Sequence, residues 1–120
     1  MKPDQRELAE QLIATEMAAY RAACAANDSV MAWSALERAH IVSQPYLGPH
    51  LAIHWTMLGF AIEQRDMREV AGQIARLALA PFGAVTGRIP IGNTGRSNVS
   101  AFQPMPVPED LLSKINGARE

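Results

Sequence analysis

The chain holds one cysteine, Cys24, in 120 residues. A single thiol excludes an internal disulfide framework and any Cys-based zinc finger. Neither sign of charge dominates, since 11 Lys and Arg stand against 12 Asp and Glu for a net charge of -1. That balance argues against a nucleic-acid binder working by bulk electrostatics. Aromatic residues, at 6%, supply no stacking platform for single strands. Long hydrophobic runs are missing too. The longest, Leu51 to Ile62, contains His54 and Thr56 and falls short of the about 20 residues that a membrane-spanning helix needs. The run from Leu77 to Val85 is broken by Pro81 and Gly83. The first residues, MKPDQRELAEQLIATEM, carry acids in a helical pattern and do not read as a secretory signal. The expectation is a cytoplasmic chain with no membrane and no nucleic-acid partner.

A hydrophobic content of 48% with 19% charged residues is enough to bury a core, and the length suits one domain over residues 1–120. The fold class is expected to be all-α. Leu8, Leu12, Met17, Tyr20 and Cys24 recur at helical spacing and predict a helix over about 4–26. Asp28 or Ser29 caps a second helix over about 29–43. Pro49 suits the first turn of a third, about 49–64. Asp66 caps a fourth over about 67–80, with Glu69 as its capping-box partner and Pro81 as its stop. Tyr20, Ala23, Asp28, Leu36 and Ala39 find counterparts 38 residues later in Leu58, Ala61, Asp66, Ile74 and Leu77. This faint repeat predicts two stacked antiparallel αα-hairpins in the manner of tetratricopeptide repeats, whose period is about 34. Residues 82–107 are punctuated by glycine and proline and predict an ordered wrap anchored by Val85, Ile89, Ile91, Val99, Phe102 and Met105. A short helix over 108–115 closes the chain.

All three histidines of the chain fall in one hairpin-sized stretch. Glu37 and His40 form E-x-x-H, and His50 and His54 form H-x-x-x-H. Spacings of three and four set both members of a pair on one helix face. A short connection between the second and third helices favours antiparallel neighbours. His40 and His50 then sit near the loop, with Glu37 and His54 one turn deeper. Three imidazoles and a carboxylate in one volume match tetrahedral zinc, or an open iron, copper or nickel site. The expected ligands are His40, His50 and His54, with Glu37 as a fourth ligand or as the group that orients one. A carboxylate-bridged di-iron centre needs a second Glu-x-x-His helix, and only one is present. The plain alternative is that His40 favours a helix C-terminus, His50 is solvated and Glu37 pairs with Arg38 or Arg76.

Other residues have bland readings. Met57 is expected in the core, though its thioether suits Cu(I). Cys24 lies on the apolar stripe of the first helix and reads as a small hydrophobe. On the third helix, Leu51, Trp55, Leu58 and Ile62 form the apolar stripe, with His50, His54 and Met57 on its shoulder. The stretch Gly87 to Asn98 offers a possible anion nest, with Arg88 and Arg96 as the cations. It lacks the ending of a P-loop. Two further functions therefore stand beside metal binding. One is a helical-repeat interaction module, or homodimer, presenting Trp33, Trp55 or Tyr46. The other is an enzyme that holds a small anionic substrate at Arg88 and Arg96. No catalytic residue is readable.

E-R-A-H at 37–40, H-L-A-I-H-W-T-M-L at 50–58 and G-R-I-P-I-G-N-T-G-R-S-N-V-S-A-F-Q-P-M-P at 87–106 resemble a small bacterial family catalogued as domain of unknown function 3703. The likeness covers about residues 8–112. It implies a single small domain and brings no catalytic residues with it. It also implies an association with metal resistance or homeostasis.

Overall fold

The computed structural model describes residues 4–86, 91–99 and 103–117, the side chains of 82–86 and 117 excepted. The described residues form five helices in the order α1 (Gln5–Ala25), α2 (Ser29–Ser43), α3 (Leu47–Glu63), α4 (Met67–Thr86) and α5 (Glu109–Gly117). They contain no strand. Helices α1 and α2 pack as one hairpin, α3 and α4 as a second, and α2 against α3 joins the two. No described helix is long and apolar enough to cross a membrane.

The two hairpins share one turn, and the 38-residue offset seen in the sequence is the offset between the two copies. In the first copy the Asp28 N–H bonds the Ala23 carbonyl at 2.9 Å and the Asn27 N–H bonds Cys24 at 3.1 Å. In the second the Asp66 N–H bonds Ala61 at 3.0 Å and the Arg65 N–H bonds Ile62 at 3.0 Å. This is the paired bonding of a Schellman motif. It needs a left-handed residue after the helix, and Asn27 (φ 55°) and Arg65 (φ 56°) supply it. The next residue then caps the following helix. Asp28 Oδ1 accepts the Met31 N–H at 3.1 Å, and Asp66 Oδ1 accepts the Glu69 N–H at 3.1 Å. One aspartate thus ends one helix and begins the next, which forces a tight antiparallel return.

The main core lies between the hairpins and holds Ala32, Trp33, Leu36 and Ala39 of α2 against Ile53, Met57, Phe60 and Ala61 of α3. The Trp33 and Phe60 rings meet edge to face at 5.1 Å, a geometry that aromatic pairs favour. Met57 is fully buried here, and Cys24 packs on the same cluster half-buried, as a small hydrophobe does. A second cluster of Ala9, Val42 and Leu111 seats α5. Arg38 locks it, forking onto both carboxylate oxygens of Asp110 while its Nε bonds Glu16 at 2.8 Å.

Four expectations need correction. Helix α4 runs to Thr86 instead of stopping near Ala80. Pro81 costs its own bond to the Leu77 carbonyl, but its ring faces solvent and the turn beyond it stays helical. The 82–107 wrap consequently begins later. Glu69 does not complete a capping box, because the Asp66 N–H is already held by Ala61 and the Glu69 side chain turns inward. The apolar stripe of α3 does not face in as a whole: Trp55 is 68% and Ile62 53% exposed and Leu51 and Leu58 are half-buried, while His54 and Met57 face in. The His face can be buried because its polar atoms find partners within the fold. Finally, Ile91 is 68% exposed, so it does not anchor the wrap. Ile89 and Phe102 lie outside the described residues, as does the side chain of Val85.

Arg65 is the non-glycine residue whose type least suits its left-handed φ. Arg65→Gly relieves a cost of about 1 kcal/mol and is expected to raise chemical-denaturation stability by about 0.5–1 kcal/mol, read as a higher denaturation midpoint at unchanged slope.

Candidate metal centre

His40 lies near the C-terminal end of α2, and His50 and His54 lie one turn apart on α3. The short α2–α3 connection brings these helices side by side, so the three rings share one volume. Their Nε2 atoms form a near-equilateral triangle: His40 to His50 3.0 Å, His40 to His54 3.1 Å and His50 to His54 3.1 Å. His40 and His54 are buried, 3% and 2% exposed, and His50 is half-buried.

The hydrogen bonds on the far edges of two rings fix which nitrogen carries the proton. His40 Nδ1 faces the Asn93 carbonyl at 2.6 Å. A carbonyl only accepts, so Nδ1 is the donor and Nε2 carries the lone pair. His54 Nδ1 faces Gln73 Oε1 at 2.8 Å. The Gln73 amide cannot be reversed, because its Nε2 donates to the Glu69 carboxylate at 2.9 Å and to the Gly95 carbonyl at 2.8 Å, and both are acceptors only. His54 Nδ1 is therefore a donor and its Nε2 is also a lone pair. Two lone pairs point at each other across 3.1 Å with no proton between them.

A cation at the centre of the triangle would relieve that repulsion, as would an Nε2–H of His50 shared between the two. A metal about 2.05 Å from each nitrogen spaces its ligands about 3.3 Å apart in a tetrahedron and about 2.9 Å apart at octahedral right angles. The observed 3.0–3.1 Å falls between. The outward Nδ1–H bonds to a carbonyl and an amide oxygen are the usual surroundings of metal-bound imidazole. Protonation is opposed as well. Burial first, then the His54 and His50 rings, push His40 well below the ordinary histidine range. Burial, then His54, push His50 down to about 4. Burial lowers His54 against the opposing bond from Gln73. All three are neutral, and so able to ligate, at pH 7.

Glu37 is not among the converging groups. Its carboxylate lies 3.9 Å from Arg96 Nη1, a partner 59 positions away that spacing could not indicate. Burial pushes the Glu37 carboxyl up, with Arg96 opposing and Glu69 adding to the rise. Arg96 itself is spent inside the protein. Its Nε bonds Glu69 at 2.9 Å and its guanidinium lies 3.9 Å over the Trp33 ring, so it does not stand as a free anion clamp. Arg88 lies outside the described residues.

Sequence reasoning missed the residues that surround the triangle: Gln73, Asn93, Gly95 and the inward role of Glu69. Gly95 (φ 82°) holds its backbone where an added Cβ would come within 2.6 Å of the His40 ring. One signal was available. Gly72, inside a helix at a cost of about 1 kcal/mol, makes room for Ser97, whose Cβ would lie 2.2 Å from a Cβ at position 72.

A family model described as "Protein of unknown function (DUF3703)" matches residues 7–115. The chain belongs to that family, and the match agrees with the resemblance in extent. No curated protein and no solved structure matches the chain.

The depressed histidines set the sign of a pH effect. Their folded pKa values lie below the unfolded value near 6.5, so the unfolded chain binds more protons in between and stability falls as pH drops through that window. For the metal-free protein the denaturation midpoint is expected to hold above about pH 6.5 and to decline from there toward His50's value of about 4. In His50→Gln the decline should be shallower, as followed by denaturant titration at pH 7 and pH 5.

Proposed function

We propose that this family member binds a transition-metal ion through the Nε2 atoms of His40, His50 and His54. The carrying observation is the triangle of nitrogens in which the lone pairs of His40 and His54 turn inward, because the opposite edges of those two rings are committed as donors. An all-imidazole set favours zinc, copper(II) or nickel over hard ions. Cu(I) is disfavoured, since Met57 is enclosed by the aromatic core and offers no soft ligand. Three protein ligands leave a further position for water or an exchangeable group. That suits an ion taken up and given away in cytoplasmic metal homeostasis or resistance as well as it suits a reaction.

The test is elemental analysis of protein purified without chelator. The expected result is about one metal ion per chain, raising the thermal midpoint relative to stripped protein by mass action. The His50→Ala/His54→Ala double variant should retain less than a tenth of it while keeping its helical circular-dichroism spectrum. Wild-type protein that takes up neither zinc, copper(II) nor nickel, or a double variant with undiminished metal content, overturns the reading.

One observation favours a second reading, self-association. Positions 47–62 contain no Asp, Glu, Lys or Arg, yet Trp55 and Ile62 face outward on α3. A Cβ on the neighbouring Gly59 would meet nothing within 4 Å. An antiparallel two-fold pairing of α3 with its copy sets Trp55 against Gly59 and Ala52 against Ile62, large against small at both places. Light scattering is expected to give the mass of a dimer, and Trp55→Glu the mass of a monomer. A monomeric wild type at high micromolar concentration removes this reading without touching the first.

A further inference from the structure

We propose that residues 91–99 are a strap whose docking is coupled to metal binding at His40, His50 and His54, so that the metal closes the strap and its withdrawal lets the strap go. The inference rests on the metal reading and concerns how that site is regulated.

The strap reaches the imidazoles with its backbone. The Asn93 carbonyl takes the His40 Nδ1–H at 2.6 Å. The Gly95 carbonyl takes one Gln73 N–H at 2.8 Å, and the oxygen of that same amide takes the His54 Nδ1–H at 2.8 Å. Two of the three rings are thus oriented from outside by the strap, one directly and one through Gln73, which is a positioning residue. The strap is fastened beyond the rings as well. Glu69 receives the Arg96 Nε at 2.9 Å and the Ser97 N–H at 2.9 Å. The Gly92 N–H reaches Gln44 Oε1 at 3.1 Å. Arg76 Nη2 bonds the Val99 carbonyl at 2.6 Å. These contacts span α2 and α4, two helices that do not pack on one another in the described structure. Ile91 points outward and does not hold the strap. Its attachment is polar, directional and dependent on ring orientation.

The coupling has a physical source. A cation at Nε2 draws electron density from the ring and makes Nδ1–H a stronger donor, so the bonds to Asn93 and Gln73 strengthen when metal is held. In the other direction, a docked strap fixes two rings in the ligating tautomer and spares the ion that ordering cost. Coupling between two binding events is reciprocal. The buried Glu69 carboxylate adds a charge two hydrogen bonds from His54. Burial alone would push its carboxyl up, but the bonds from Gln73, Arg96 and the Ser97 N–H more than offset this and keep it ionised.

The test is hydrogen–deuterium exchange on the full chain, stripped with chelator and then loaded with zinc, with affinity measured in parallel by calorimetry. Zinc is expected to slow exchange of the amides of Gly92 to Ser97 at least tenfold. Glu69→Ala releases Gln73, Arg96 and Ser97 together without touching a ligand. It should weaken zinc ten- to a hundredfold and abolish most of the slowing. Asn93→Ala removes the acceptor for the Gly95 N–H (2.9 Å) but leaves the Asn93 carbonyl in place. It should act in the same direction, about threefold, and serves if Glu69→Ala does not fold. Wild type that binds zinc with unchanged exchange over 92–97 overturns the strap and leaves the metal reading standing. So does a folded Glu69→Ala of wild-type affinity. Wild type that binds no zinc, copper(II) or nickel overturns both.

Discussion

A hydrogen bond from a buried imidazole to a main-chain carbonyl leaves the ring little choice. Once the Asn93 carbonyl faces His40 Nδ1 at 2.6 Å, the proton is on that side and the lone pair is on the other. The same logic passes through Gln73 to His54. The core then has to accommodate two inward lone pairs, and it does so by bringing a third ring, His50, to the same point. Much else serves this arrangement. Gly95 lacks a side chain because the His40 ring occupies its place. Glu69 is buried because Gln73 needs an acceptor for a second N–H, and Arg96 lies against Glu69 and Trp33 because a buried carboxylate needs a counter-charge.

The frame that makes this possible is simple. Each hairpin turns through one left-handed residue and one aspartate that serves both helices. That leaves α2 and α3 as the inner pair, packed by Trp33, Leu36, Met57 and Phe60. Their facing surfaces carry the apolar core along most of their length and the imidazoles at the end near the connecting loop. The polar cluster thus sits where two helix ends meet a strap, a place where carbonyl and amide groups are at hand to satisfy it.

The histidine triad was legible because helical spacing is a strong geometric constraint: positions 50 and 54 share a face in any α-helix, and a three-residue connection returns α3 alongside position 40. The turns were legible for a similar reason, since Asp28 and Asp66 recur at a fixed offset. Glu37 shows the limit. Its spacing to His40 is as good as that of the histidines, yet Arg96, distant in sequence, claims it. The outward face of α3 shows another. Hydrophobicity alone directs Trp55 and Ile62 inward, but the face that is buried carries Ile53, Met57 and Phe60 as well, and the bond from His54 to Gln73 lets a histidine join them. Pro81 was over-read, because a local rule about one missing bond does not decide where a helix held by its neighbours ends. The part that Asn93 and Gly95 play toward His40 and Gln73 could not be found from side-chain chemistry, since what they offer those groups is a carbonyl.

That last point bears on how the site tolerates change. An acceptor made of main chain survives exchange of its own side chain, so substitutions at Asn93 leave the carbonyl that His40 uses. What it does not survive is a change of register. Deleting or inserting one residue between Gly92 and Gly95 displaces every later carbonyl by about 3.8 Å, more than a hydrogen bond can span. The 92–97 stretch is therefore rigid in length, and beyond its glycines its composition is constrained where side chains fasten it, at Asn93 and Arg96.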